Sequence, residues 1–159
     1  MEKGDISNEV PRRFLLVFEG FLGFPPPEPE PEMAPGRWKI FGGKAKRSGP
    51  DAWLEWAHSW TINERLAMHI WDAARRYNYT IEVITFLGQN FADVIEEMID
   101  EEQLPVSRVT AHDKHLLVRE LAYRPDVVGV FHANGADTFL YGGKGYLRDP
   151  DHPALLGSI

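Results

Sequence analysis

Apolar runs alternate along this chain with segments in which apolar residues recur every three or four positions. The runs, at residues 14–18, 79–86, 106–111 and 127–131, are rich in β-branched, aromatic and other apolar side chains, as in buried strands. The segments between them, at residues 62–77, 88–104 and 113–124, have the spacing of amphipathic helices. Because alternating strands and helices form a parallel sheet with helices on both faces, we predict a three-layer α/β sandwich of Rossmann-like type.

An unusual segment, residues 25–60, separates the first apolar run from the first of these helices. Six of the twelve residues at positions 25–36 are proline, which disfavours helix and central strand and favours an extended rod. An aromatic and basic stretch follows. We interpret residues 25–60 as an insertion within a single domain that spans residues 1–159. We expect it to lie across the carboxyl edge of the sheet or to project toward a partner.

Two interpretations of this insertion stay open. In one, a stiff surface loop is followed by tryptophans that cover an edge of the core. In the other, the prolines and aromatic rings bind a protein partner. The candidate partner-binding residues are then Pro26, Pro29, Pro31, Trp38, Trp53 and Trp56.

A glycine-rich segment, residues 141–146, has the composition of a tight hairpin near the end of the chain. Its central residues, 142–145, offer backbone N–H groups that could alternatively cradle an anion.

Charge and composition narrow the classes of function. The 17 Lys+Arg and 24 Asp+Glu give a formal net charge of −7, so the chain lacks the positive field that sequence-independent nucleic-acid binding needs. The absence of cysteine excludes disulfides, thiolate metal sites and thiol nucleophiles. The longest apolar run, residues 14–18, is far shorter than the ~20 residues of a membrane span. We therefore expect neither nucleic acid nor a membrane as a partner, and a cytoplasmic location.

Polar groups at the carboxyl ends of the predicted strands are the candidates for chemistry, because the loops of a parallel sheet converge there. Glu19 follows the first apolar run, and Thr85 lies near the end of the second. Lys114 begins the helix after the third run, and the segment from His132 to Asp137 follows the fourth. We expect these groups to meet at one edge of the sheet.

This layout resembles the haloacid-dehalogenase-like phosphohydrolase family over roughly residues 13–140. The family motifs are an apolar strand ending in Asp-x-Asp-Gly-Thr, a Ser or Thr after a strand, a Lys, and an acidic strand end. Gly20 aligns with the glycine of the first motif, Thr85 with the second motif, Lys114 with the third, and residues 132–137 with the fourth. The resemblance implies a haloacid-dehalogenase-like sheet and places residues 25–60 where the family carries its cap.

The first motif departs from the family pattern. Its nucleophilic aspartate aligns with Val17, and its acid/base aspartate aligns with Glu19. Valine can neither attack phosphorus nor ligate Mg²⁺, which takes carboxylate and carbonyl oxygens. The resemblance therefore implies the phosphatase fold without phosphatase chemistry. We expect no catalytic residue, cofactor or metal, and a protein that acts through protein–protein contacts.

Two other functions follow from the same resemblance. In the first, the chain is a divergent phosphohydrolase in which Glu19 and Asp137 bind Mg²⁺ and act on a small phosphate ester with help from Thr85 and Lys114. In the second, Thr85 and Lys114 bind a phosphate ligand without turnover.

A divalent-metal site formed by His112, His132 and Asp137 is also conceivable at this edge, although the chain has no HExxH or similar ligand spacing.

The passage from the fourth apolar run into the Tyr-Gly-Gly-Lys-Gly segment also resembles small uncharacterised actinobacteriophage proteins. That likeness implies a structural or assembly role in a phage virion, with a virion-associated location in place of a cytoplasmic one.

Overall fold

The structure, a computed structural model, describes residues 12–33, 38–41, 44–77, 80–121 and 124–155. In chain order its elements are β1 (Arg13–Val17), β2 (Gly23–Phe24), β3 (Trp38–Phe41), β4 (Lys44–Arg47), α1 (Pro50–His58), β5 (Thr61–Ile62), α2 (Glu64–Tyr77), β6 (Thr80–Thr85), α3 (Gln89–Glu102), β7 (Arg108–Ala111), α4 (Lys114–Leu121), β8 (Val127–His132), a 3₁₀-helical stretch (Gly135–Lys144) and β9 (Gly145–Leu147).

Five strands form one sheet in the order β7-β6-β1-β8-β9. Every neighbouring pair in it is parallel, and β1 lies in the middle between β6 and β8. The predicted parallel α/β sheet is therefore confirmed. The first and fourth apolar runs form adjacent strands, and Thr85 ends the strand on the other side of β1.

Side chains of β1 point alternately to the two faces of the sheet, because side-chain direction in a strand repeats with a period of two. Leu16 and Phe18 belong to the larger apolar cluster, which includes residues of α1, α2 and α3. Leu15 and Val17 belong to a smaller cluster with residues of α4 and the 3₁₀-helical stretch. Helical elements thus cover both faces of the sheet, which gives three layers.

The ends of the helices follow from local signals. The Asp113 carboxylate accepts hydrogen bonds from the backbone N–H groups of His115 (2.9 Å) and Leu116 (3.2 Å), so it caps the start of α4. Gln103 ends α3 in the left-handed conformation, with φ of 55°. In the part of the chain that the structure describes, no helix is both long and apolar enough to cross a bilayer.

The segment at residues 25–60 begins and ends beside the same pair of short strands. β2 and β5 are antiparallel, and Phe24 lies opposite Thr61. Between them the chain forms the proline-rich segment, here residues 25–33, the two-stranded β3–β4 ribbon, and α1. α1 packs on α3, so this helix covers a helical layer rather than the carboxyl edge of the sheet.

Trp53 and Trp56 are buried, with 3% and 8% of their surface exposed. Their rings pack against each other and against Phe91 of α3, at centroid distances of 5.1–6.3 Å within a cluster that includes Trp60. Large aromatic rings gain most from burial, and here they cover the core. Their burial agrees with the first of the two interpretations, in which the tryptophans cover an edge of the core, and it leaves Trp53 and Trp56 little surface for a partner. The side chain of Trp38 lies outside what the structure describes.

The hairpin predicted at residues 141–146 is not formed. Gly135–Lys144 is 3₁₀-helical with a break at Gly142, where φ is +58°. The glycines instead turn the chain so that β9 joins the edge of the sheet parallel to β8.

Candidate functional site

A cleft of about 240 Å³ opens at the carboxyl edge of the sheet, beside the ends of β1 and β8. The chain runs outward from β1 through β6 to β7 and then crosses back to β8 and β9. The cleft therefore lies at the point where the strand order reverses, which is where ligands bind in open α/β sheets. Its lining residues are Val17, Glu19, Phe86, Leu87, Lys114, His132, Ala133, Asn134, Asp137 and Tyr141.

Glu19 lies in a tight turn that follows β1, and Gly20 allows this turn with φ of +81°. One oxygen of the Glu19 carboxylate accepts a hydrogen bond from the Thr85 hydroxyl, and the other accepts from the Phe86 N–H (3.1 Å). Burial raises the pKa of Glu19, although these hydrogen bonds and the charge of Lys114 act in the opposite direction. The donors nearest to Glu19 are thus bound to it.

Lys114 and Asp137 form an ion pair across the cleft. Lys114 is the first residue of α4, and its Nζ lies 3.0 Å from Oδ2 of Asp137. Asn134 donates a second hydrogen bond to the same oxygen (3.2 Å). Lys114 Nζ also lies 5.0 Å from the centroid of the Phe86 ring, within the range of a cation–π contact. This cation is therefore held by groups of the chain itself.

His132 and Tyr141 are the two buried polar side chains of the cleft, with 1% and 3% of their surface exposed. Their rings lie 4.9 Å apart, and neither ring nitrogen of His132 nor the Tyr141 hydroxyl has a hydrogen-bond partner of normal geometry. Burial lowers the pKa of His132, against the opposing effects of the Asn134 backbone and Asp137. Burial, together with the nearby carboxylates, raises the pKa of Tyr141. Burial therefore favours the neutral form of both side chains.

The structure brings the sequence-predicted residues together. Three of them, Glu19, Lys114 and Asp137, line the cleft. The fourth, Thr85, donates a hydrogen bond from its hydroxyl to the Glu19 carboxylate. Val17 also lines the cleft, two residues before Glu19 and on the same side of the chain.

Sequence reasoning missed Tyr141, because the glycines after it suggested a hairpin rather than a helical turn. The signal that would have predicted a helical stretch is Asn134, whose side-chain oxygen accepts a hydrogen bond from the Ala136 N–H (3.0 Å) and caps the start of that stretch.

The structure does not bring His112 into the cleft. Its Nε2 lies 2.9 Å from the Thr110 hydroxyl, and burial lowers its pKa. Within the described ranges, no group of three or more His, Asp or Glu side chains is placed to hold a metal ion.

The donor set of the cleft does not fit Mg²⁺, which takes an octahedron of oxygen ligands. Glu19 accepts hydrogen bonds from Thr85 and Phe86 through both of its oxygens. Asp137 carries the Lys114 ammonium on Oδ2, where a second cation would be repelled.

The proline-rich segment lies away from the cleft, and no described residue between 25 and 60 lines it. Of the candidate partner-binding prolines, Pro29 is exposed, whereas Pro26 and Pro31 are half-buried. Two hydrogen bonds fix the segment on α1: Trp53 Nε1 donates to a Glu30 carboxylate oxygen (2.8 Å), and Trp56 Nε1 donates to the Glu28 carbonyl (3.0 Å).

Comparisons of the chain with protein-family models, with curated proteins and with solved structures gave no match in any of the three.

Proposed function

We propose that this chain is a non-catalytic protein on a haloacid-dehalogenase-like scaffold, and that it acts through contacts with a protein partner. The observation that carries the proposal is that the polar side chains of the cleft are paired with one another. In the resemblance drawn from the sequence, Val17 aligns with the family nucleophile. The next candidate, Glu19, accepts hydrogen bonds from Thr85 and Phe86.

The groups that would hold a phosphate are already bound within the chain. The Thr85 hydroxyl and the Phe86 N–H both donate to Glu19. Lys114 is paired with Asp137. A phosphoryl group entering the cleft would have to displace a carboxylate from each of these donors, and two like charges at one site repel each other.

The proline-rich segment supports the second half of the proposal. Hydrogen bonds from Trp53 and Trp56 fix this segment on α1, while Pro27 and Pro29 remain exposed. A proline-rich chain that is ordered before binding loses little conformational entropy when a partner docks on it. Grooves lined by aromatic side chains recognise such segments.

A phosphatase assay tests the catalytic half. We expect no hydrolysis of p-nitrophenyl phosphate above background with or without Mg²⁺, since loss of a nucleophile costs on the order of 10⁶ in rate in comparable enzymes.

The second candidate function, a divergent phosphohydrolase, is favoured by the convergence of Glu19, Thr85, Lys114 and Asp137 at one edge. Mg²⁺-dependent turnover that is lost in Glu19→Gln would establish that alternative in place of the proposal.

Affinity purification of the tagged chain from its native host tests the contact half. A partner that binds the proline-rich segment is expected to be lost from the Pro27→Ala, Pro29→Ala double variant. The matched control is Pro125→Ala, which changes an exposed proline in the turn before β8. A partner set that is the same in both variants would show that the proline-rich segment is only a structural loop.

A further inference from the structure

One side of α2 combines two exposed apolar side chains with two opposite charges. Glu64, Met68, Trp71 and Arg75 follow one another at steps of four, three and four residues, so they lie along one side of the helix. All four side chains are exposed, whereas the opposite side of α2 is buried in the larger apolar cluster. We call residues 64, 68, 71 and 75 the α2 stripe.

The two apolar members of the α2 stripe form a continuous exposed surface. Met68 is 72% exposed and Trp71 is 45% exposed, and side chains three residues apart on a helix are neighbours. Adjoining exposed apolar side chains with polar residues around them mark interaction surfaces. Tryptophan is also enriched among the residues that contribute most to binding. The α2 stripe therefore has the composition of a contact surface.

The two charges of the α2 stripe indicate which partner covers it. Glu64 is the first residue of α2 and Arg75 lies in its last turn. Within the described residues neither side chain takes part in an ion pair. When two copies of this helix lie antiparallel, Glu64 of each copy faces Arg75 of the other, and Met68 of each faces Trp71 of the other. The α2 stripe is therefore complementary to itself.

The residues beside the α2 stripe agree with antiparallel pairing. On one side lie Ala67 and Ala74, whose small side chains let two helices approach closely. On the other side lie Arg65 and Asp72, and antiparallel pairing sets Arg65 of one copy against Asp72 of the other. Neither side of the stripe therefore sets like charges against each other.

A groove of about 660 Å³ runs along the α2 stripe, between α2 and residues 151–154. Its two walls are joined by a hydrogen bond from the Arg65 guanidinium to the Asp151 carbonyl (2.9 Å). Met68 lines the groove, and in the antiparallel pair Trp71 of the second copy lies opposite Met68. The groove therefore offers a concave surface to the indole ring of the second copy.

We propose that two copies of the chain associate through the α2 stripe, with their α2 helices antiparallel about a two-fold axis at the level of residues 69 and 70. α2 has 14 residues and is about 21 Å long, so the contact is smaller than the ~1,200 Å² of stable interfaces. We therefore expect a weak dimer, with a dissociation constant on the order of 10–100 μM. The dimer is independent of the proposed function, since it requires neither an inactive cleft nor a partner on the proline-rich segment.

Sedimentation equilibrium of the full chain measures the association. We expect the weight-average mass to be 18.1 kDa at about 1 μM and to rise toward twice that value at about 500 μM. Trp71→Ser and Met68→Lys should each weaken the association at least about tenfold, because each removes an apolar contact from both halves of the symmetric interface. The matched control is Leu116→Ser, an exposed leucine on α4, which should leave the association unchanged.

Charge reversal tests the antiparallel register. Arg75→Glu sets like charges against Glu64 of the second copy, and Glu64→Lys sets like charges against Arg75, so each variant should associate severalfold more weakly than the wild type. The double variant Glu64→Lys, Arg75→Glu should regain the wild-type affinity, and an equimolar mixture of the two single variants should also restore association. Circular dichroism checks the fold of these variants, because the new charges oppose the helix dipole. Trp71→Ser and Met68→Lys test the interface without changing the ends of the helix.

Three results would overturn the proposal. The first is a mass that stays at 18.1 kDa up to about 500 μM. The second is a dimer that Trp71→Ser and Met68→Lys leave unchanged, because its interface would lie elsewhere. The third is charge reversal without effect, or without recovery in the double variant, because the helices would then not be antiparallel. None of these results changes the outcome of the phosphatase assay or of the proline variants, so the proposed function is tested separately.

Discussion

Glu82 is a buried carboxylate, 1% exposed, in the middle of β6. It accepts a hydrogen bond from Arg13 of β1 and lies 3.3 Å from Arg108 Nε of β7. Three neighbouring strands are thus joined by one carboxylate. We expect Glu82→Gln to lower the free energy of unfolding by about 1–3 kcal/mol, because an amide cannot serve two cations and the arginines are partly exposed to water.

Urea unfolding measures this change. The matched control is Glu96→Gln, an exposed position on α3, where surface substitution is expected to change stability by no more than about 0.5 kcal/mol. Equal stabilities of the two variants would mean that the charge pairs of Glu82 contribute nothing.

Glu19 makes the stability of the chain depend on pH in a predictable direction. Its pKa in the folded state is raised above 4.5, the ordinary pKa of a glutamate side chain. At pH values between 4.5 and the raised pKa, the folded state therefore binds more protons than the unfolded state. Stability therefore falls as pH rises through this window. We expect the stability of the wild type, measured relative to Glu19→Gln, to decline across the window and to level off above it. A difference that instead grows with pH would show that the hydrogen bonds from Thr85 and Phe86 outweigh burial.

Gly129 allows β9 to join the sheet. A Cβ at this position would come 2.2 Å from the ring of Tyr146, which stacks on Phe131 at 5.1 Å. Gly129→Ala should therefore cost about 1–3 kcal/mol of stability, and hydrogen exchange should become faster in β9. The matched control is Gly143→Ala, where a Cβ would have nothing within 4 Å.

A double variant checks the cause. If the clash with the ring is responsible, the costs of Gly129→Ala and Tyr146→Ala should be less than additive. Additive costs would contradict this account of β9.

The strands and helices that were predicted well are those in which the apolar residues of the element itself form a clear pattern. β1, β6 and β8 are buried on both faces, so their apolar runs are nearly continuous, and α2 to α4 repeat their apolar residues with a helical period. The two-residue strands β2 and β5, and β9 at the edge, are too short to show a period. These strands form because segments distant in sequence pair with them, and no pattern within a single sequence indicates which segments pair.

The candidate site was likewise predicted only in part: the positions of its residues follow from the sequence, whereas their pairings do not. The carboxyl ends of the predicted strands sufficed to place Glu19, Thr85, Lys114 and Asp137 at one edge. The pairing of Glu19 with Thr85, and of Lys114 with Asp137, depends on side-chain geometry across four different elements. Tyr141 reaches the cleft because of the 3₁₀-helical stretch, whose glycine-rich end is equally compatible with a turn.

At the scale of the whole molecule, one sheet separates two apolar clusters, and the segment at residues 25–60 contributes to the larger of them. α1 supplies Trp53, Trp56 and Ala57 to the same cluster as α2 and α3. On the surface, His58 of α1 lies 3.0 Å from Glu97 of α3. A helix that shares its core with the domain to this extent should unfold together with it.

Cooperative unfolding is therefore the prediction at this scale. With Trp38 and Trp71 replaced by phenylalanine, the remaining three of the five tryptophans, at positions 53, 56 and 60, report on α1 and the larger cluster. In urea we expect their fluorescence and the far-ultraviolet circular dichroism of the sheet and helices to change in one coincident transition, with an m value of about 1–3 kcal/mol/M. The control is the wild type, whose circular dichroism midpoint should match that of the double variant. A fluorescence transition at lower urea than the circular dichroism transition would mean that α1 detaches first, and that the segment at residues 25–60 is a separately unfolding unit that a partner could bind in its open state.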